Sequence, residues 1–297
     1  MEKNEALAKR APSEISNAGR SWTVGALEEA LLRVFPADEA ESWDKTGLVV
    51  GERDSLVTKV AFALDPTVSA IREAAAMGAN VLITHHPPFI AAPDSFAPEG
   101  SVALSPGAGV YAAIRHGVAL MCFHTTLDAS AQAARVLPSM FGLDFAGKVV
   151  ELSGSRKAAA DGRGYGQLST VSAQDGVFTL AELAARATAV FGRQPRVWGD
   201  FDRVIRRVVT ATGSAGGTGR AALAADADCL ICGEIKYHDA LDLSEAGLCV
   251  IELGHDVSEL PLVAVLVRAA HAVGLAEGQI TVIDQGSNWQ LPDAIRL

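Results

Sequence analysis

The residues with the chemistry to act together stand where short apolar runs end. His85 and His86 follow Val81, Leu82 and Ile83 in VLITHHPPFI, and His124 follows Val118–Phe123 and precedes Asp128 in FHTTLD. Glu234 and His238 follow Cys229–Cys232 in GEIKYHDAL, and His255 and Glu259 follow Val250–Leu253 in GHDVSEL. A core histidine would have to be invoked separately at each end, whereas one shared site explains all of them. Imidazole nitrogens mixed with carboxylates suit zinc, manganese or iron. His85, His86, Asp128, His255 and Glu259 exceed what one tetrahedral ion with an open position needs. Two divalent ions about 3.5–4 Å apart, bridged by a carboxylate and a water, would use them all and supply hydrolytic chemistry. His124, Glu234 and His238 are then candidates for orienting ligands or moving protons, with a purely structural hydrogen bond as the equal alternative.

These residues need strands and helices to bring them together. Val81–Thr84 reads as a buried strand, and Pro87 and Pro88 end it by removing ladder donors. Neighbouring side chains on a strand face opposite ways, so His85 and His86 share a site only if the backbone turns there. Lys59–Leu64, a helix over Thr67–Met77 and Val81–Thr84 form a βαβ unit with parallel strands, whose carboxyl ends bind ligands in open α/β sheets. His255 and Glu259, at i and i+4, share a face if a helix starts at His255, and Pro261 is tolerable in its first turns. Further helices are expected over Val24–Phe35, to His116 and over Thr179–Phe191, the last capped by Thr179 and Glu182. Further strands are expected over Val118–Phe123, Arg203–Ala211 and Ile280–Asp284. Glu41–Gly51 reads as a connecting segment carrying Trp43, Phe89–Gly109 as a loop framing a site, and GSAGGTG (Gly213–Gly219) as a tight turn without the Lys-Ser/Thr of a phosphate loop. The class is α/β: a tail over residues 1–20, a first lobe over 21–146, and a second over 147–297 entered through the Gly147–Gly166 crossing and contributing ligands to a shared site.

The chain has 297 residues, 49% hydrophobic, with a formal charge of −10, enough for a large core and poorly suited to a general affinity for nucleic acid. Cys229 and Cys232 have CxxC spacing, but the apolar residues around them make core thiols the better reading. The most apolar helix, Leu260–Val273, is short and interrupted by Arg268 and His271, which argues against a membrane span and for a cytoplasmic address. There is no GxSxG, so water on metal is the expected attacker.

ESWDKTGL, ITHHPPF, FHTTLD, CGEIKYHDAL and GHDVSE, in this order from Glu41 to Glu259, resemble the motifs of the NIF-three-like proteins, also called GTP cyclohydrolase I type 2 homologues. The resemblance implies two interlinked α/β lobes with mixed sheets, a dinuclear metal centre and a toroidal homohexamer with its metal sites facing inward. Carried over by position, it implies ligands at His85, His86, Asp128, His255 and Glu259, with Glu259 between the ions. Lys45 and Thr126 stand where the family usually has Asn, and Asp256 or Val257 near an aromatic position. These departures touch substrate recognition rather than metal ligation. The function implied is a hydrolase-like enzyme acting on a nucleotide or phosphoester-like substrate. The alternative is a non-catalytic ring that carries metal, scaffolds or regulates.

Overall fold

The apolar runs before the chemistry-bearing residues fold as buried strands, because β-branched and aliphatic side chains fill a sheet covered on both faces. In a computed structural model that describes residues 21–98, 105–151, 164–172 and 176–289, β1 to β4 span Thr46–Val50, Val60–Ala63, Val81–Thr84 and Ala119–Phe123. Strands β5 to β11 span Leu143–Glu151, Gly164–Val171, Arg196–Trp198, Arg207–Ser214, Cys229–Glu234, Cys249–Glu252 and Ile280–Val282. Helices α1 to α5 span Val24–Leu32, Val68–Ala76, Ser105–His116, Thr125–Asp128 and Val136–Met140. Helices α6 to α9 span Leu180–Phe191, Thr218–Ala224, Tyr237–Glu245 and His255–Val273. The tail expected over 1–20 lies outside the described residues, as do 99–104 of the expected Phe89–Gly109 loop and 152–163 of the expected crossing.

Two mixed sheets result, ordered β1-β4-β3-β2-β11 and β5-β6-β8-β9-β10-β7. Within the first, β11, β2, β3 and β4 run parallel, and within the second, β8, β9 and β10 run parallel. Parallel neighbours put all their carboxyl ends on one edge, so the residues that follow β2, β3 and β4 share one rim and those that follow β8, β9 and β10 share another. Helix α9 leaves β10 and links the two halves. Val257 in its first turn packs in the core of the second sheet, whereas Leu262, Val263, Val265, Leu266, Ala269 and Ala270 pack in the core of the first. The chain then returns to the first sheet, because β11 pairs with β2. Residues after 147 therefore serve both sheets, and β5 already begins at Leu143 in the second.

Several expected boundaries differ. The segment over Glu41–Gly51, expected as a connection, contains β1, an edge strand antiparallel to β4. Its apolar residues, Leu48, Val49 and Val50, are only partly buried, as an edge strand is only partly covered. The Gly147–Gly166 crossing contains the end of β5 and the start of β6, two long strands paired antiparallel in which Gly147, Lys148, Gly164, Gly166, Gln167 and Ser169 interrupt the apolar residues. Helix α3 begins at Ser105, inside the expected loop. Pro106 is tolerated in its first turn, and a side chain at Gly107 would collide with the Ser95 carbonyl. Cys229 and Cys232 face different cores from one strand, so they form no pair.

Candidate metal centre

The two rims meet at a cluster of four imidazoles and two carboxylates. Strand β3 stops at Thr84, whose hydroxyl donates to the His86 carbonyl at 2.7 Å, while the His86 N–H donates to the Leu64 carbonyl at 3.0 Å. This held turn frees His85 and His86 from strand alternation, and both rings point to the same cluster with centroids 4.9 Å apart. His124 follows β4 with its ring 5.1 Å from His85. Asp128 lies one turn further on at the end of α4. From the other rim, α9 begins at His255, so Glu259 comes round to the same face.

The nitrogens facing the cluster are all Nε2. His85 Nε2 lies 3.5 Å from Asp128 Oδ1 and 3.5 Å from Glu259 Oε1. His86 Nε2 and His255 Nε2 lie 2.9 and 3.1 Å from Glu259 Oε2. Glu259 thus touches three imidazoles through its two oxygens. Three sets of donors converge closely enough to hold an ion: His85, Asp128 and Glu259; His86, His255 and Glu259; and His85, His86 and His124. Buried His85 Nε2 lacks a hydrogen-bond partner of adequate geometry, a lone pair that a cation fits.

Each Nδ1 is held from behind. His86 Nδ1 is 2.7 Å from Asp65 Oδ1, His124 Nδ1 is 2.9 Å from Asp44 Oδ1, and His255 Nδ1 is 3.1 Å from Glu234 Oε1. His85 Nδ1 faces the Phe123 carbonyl at 3.2 Å. An acceptor at Nδ1 keeps the proton there and leaves the Nε2 lone pair for a metal. The Asp44 side chain is buried and also accepts from the Thr125 N–H at 2.9 Å. Burial opposes its ionisation, but the bonds from His124 and Thr125 hold its pKa below the usual carboxylate value.

Without a cation the cluster holds protons. Burial depresses the His86 imidazole, yet hydrogen bonds to Asp65 and Glu259 raise it to about 10. The Glu259 hydrogen bond, working against burial, raises His255 to about 9. Burial resists ionisation of Glu259, but His85, His255 and His86 hold its carboxyl well below the usual range. Burial drives Asp128 the other way, upward. The pattern is that of ligands whose protons stand in for cations.

Close backbone approach makes the cluster possible. Gly213 has φ +57, and a Cβ there would sit 2.1 Å from Glu259 Oε1; one at Gly233 would sit 2.5 Å from both the Gly213 carbonyl and Ser258 Oγ. The Gly213 N–H donates to Ser258 Oγ at 2.9 Å, tying the end of β8 to the first turn of α9. The glycine-rich GSAGGTG segment is therefore explained at Gly213 by packing. Asp256, one of the departures, takes a two-pronged bond from Arg193 at 2.8 and 3.1 Å, and the Arg193 guanidinium lies 4.0 Å over Trp289. Trp289 thus packs on the guanidinium that holds Asp256.

Of the sequence candidates, His85, His86, His124, Asp128, Glu234, His255 and Glu259 converge. His238 does not join these groups. Glu234 ends β9 and helix α8 starts only at Tyr237, so their spacing spans a junction and His238 is exposed beside Tyr237. Asp65 and Asp44 were missed. Asp65 follows β2 and obeys the same strand-end rule as the histidines, whereas Asp44 is identified only by its contact with His124, eighty residues on.

Comparison with known proteins agrees with this architecture. The family model for Duf34/NIF3 (NGG1p interacting factor 3) matches residues 22–287. A Streptomyces coelicolor protein named GTP cyclohydrolase 1 type 2 homolog is 30% identical over 237 residues, covering 78% of this chain and 80% of its own. A Clostridium perfringens protein of the same name is 28% identical over 241 residues, covering 81% and 87%. In fold, the chain is similar to a Staphylococcus aureus hypothetical protein, with TM-score 0.80 at 24% identity over 92% of this chain and 100% of that one. It is also similar to a Bacillus cereus protein related to NIF3, with TM-score 0.74 at 17% identity over 94% and 100%. With its matched span and its two mixed sheets, the chain belongs to the Duf34/NIF3 family.

Proposed function

We propose that this protein binds two divalent cations and works as a metal-dependent hydrolase on a nucleotide or phosphoester-like substrate. The observation that carries the reading is Glu259, buried and shared by two donor sets, with His85 and Asp128 on one side and His86 and His255 on the other. Zinc, manganese and iron all suit these donors. A bound pair would lower the pKa of a water and stabilise the negative charge developing on the substrate.

The chain's own residues do the rest. Phe123, Asp65 and Glu234 fix the tautomers of His85, His86 and His255, so each presents Nε2 without rearrangement. The Thr212 hydroxyl donates to Asp128 at 3.2 Å and fixes its carboxylate. His124, held by Asp44, faces both the cluster and the adjoining cavity, where its Nε2 can orient water or take a proton. Names given to relatives favour a cyclohydrolase-type substrate, whose ring carbon a metal-bound water would attack, and the donor set equally suits phosphoesters.

The assembly we propose is the toroidal homohexamer, and exposed Phe201, Tyr237 and Ile114 offer apolar surface for contacts between copies. No helix among the described residues is long and apolar enough to cross a membrane. All four cysteines are free and buried, which supports a reducing, cytoplasmic setting.

Elemental analysis of protein purified without chelator tests the centre. About two ions per chain are expected, with nearly complete loss in Glu259→Ala while the circular dichroism spectrum is retained. Folded wild-type protein that takes up no zinc, manganese or iron would overturn the reading. A screen of nucleotides and phosphodiesters, scored for turnover that chelator abolishes, tests the hydrolase part. Metal-loaded protein without turnover across that screen would favour a metal-carrying or scaffolding ring.

A further inference from the structure

A cavity of about 570 Å³ opens from Asp128, His124, His255 and Glu259 outward to Trp43 and Glu41. That volume suits a substituted ring compound. Two features of its wall have no part in holding the histidines or the cations. Trp43 is 51% exposed and meets the His124 ring at 5.7 Å in a T-shaped contact, which leaves much of the indole surface to the cavity. Glu41 is fixed from both halves of the molecule: its N–H donates to Thr125 Oγ1 at 3.1 Å, and its Oε1 accepts from the Tyr165 hydroxyl at 3.2 Å. Its Oε2 takes no hydrogen bond among the described residues.

Charge narrows the class of ligand. Among the described lining residues there is no Lys or Arg, while Glu41, Asp128 and Glu259 are acidic. A polyanionic tail finds no basic side chain among these described residues, so the phosphates of a nucleotide would have to be met by the cations, and the cavity wall itself selects the ring. A ring that offers N–H groups finds an indole to stack on and a positioned carboxylate to receive them.

We propose that this cavity binds a planar, neutral or cationic heterocycle with adjacent N–H donors, stacked on Trp43 and hydrogen-bonded to Glu41. Its opposite edge then faces Asp128 and His255. The inference deepens the metal-centre reading, on which it rests for the orientation of the ligand but not for its capture. Tyr165 acts as a positioning residue, because its hydroxyl directs the Glu41 carboxylate.

Isothermal titration of 2-aminobenzimidazole into the metal-loaded full chain tests the proposal, with metal content measured on every sample. Binding is expected to weaken about tenfold or more in Trp43→Ala and to stay within about threefold in Trp43→Phe. Glu41→Gln should weaken it about tenfold, as should replacing the ligand with 1-methylbenzimidazole, which lacks N–H groups. No binding to metal-loaded wild type would overturn the proposal. So would binding that neither Trp43→Ala nor Glu41→Gln changes, since the ring would then be ligating the metal alone. A wild-type sample that takes up no metal would bring down the metal-centre reading instead, and ring binding that still depends on Trp43 and Glu41 would uphold the cavity.

Discussion

The two halves of the metal centre are built differently. The inner half, His85 with Asp128, is sunk into the protein, and its anchors are neutral: the Phe123 carbonyl and the Thr212 hydroxyl. The outer half, His86 with His255, is more exposed, at 20% and 37%, and its anchors are the carboxylates Asp65 and Glu234. A carboxylate behind an imidazole raises its basicity and so strengthens it as a ligand, an aid most useful where water competes. Burial does that work for the inner half by excluding water. The same coordination chemistry is thus supported by packing on one side and by charge on the other.

The largest effects should come from removing one ligand on each side. His85→Ala should remove the inner ion and leave about one ion per chain, and His255→Ala should remove the outer ion and leave the other, as read by metal analysis after dialysis. Loss of both ions in either variant would show that the halves are not separable. Smaller effects are expected behind the ligands. Asp65→Asn and Glu234→Gln should weaken the outer position by roughly 10–100-fold and leave the inner one nearly unchanged, measured by competition with a chromophoric chelator. An equal loss at both positions would contradict the division.

The smallest effect concerns protons. His86 and His255 titrate near 10 and 9 without a cation, above the ordinary 6.5, so metal uptake at neutral pH must displace their protons. Calorimetry in buffers of different ionisation enthalpy should show net proton release at pH 7, declining as pH approaches 9 to 10. The sign for the metal-free protein is the reverse. Folded-state values above 6.5 give stability that is fully present below that pH and is lost as pH rises through about 9 and then about 10. A melting temperature of chelator-treated protein that rises over pH 7–10 would contradict this.

What was legible in the amino-acid order was local. Val81–Thr84, Ala119–Phe123 and Cys249–Glu252 announce themselves as apolar runs, and the residues that follow them carry their chemistry on their face. His255 and Glu259 could be paired because residues four apart share one face of a helix. The strands β5 and β6 were obscured because glycine and polar residues, Gly147, Lys148, Gly164, Gly166, Gln167 and Ser169 among them, interrupt them, and β1 because its short run Leu48–Val50 follows the polar and charged segment Glu41–Thr46.

The order of residues alone determined which donors were available, that they lie at strand ends, and that their mixture suits divalent cations. Tertiary structure decided the arrangement: that Glu259 touches three imidazoles, that Asp65 and Asp44 stand behind His86 and His124, and that His238 stays outside. The physical reason is distance along the chain. Helix and strand periodicity fixes relations over a few residues, whereas a hydrogen bond between Asp44 and His124, or the near-contact of Gly213 with Glu259, exists only after two sheets have closed around α9.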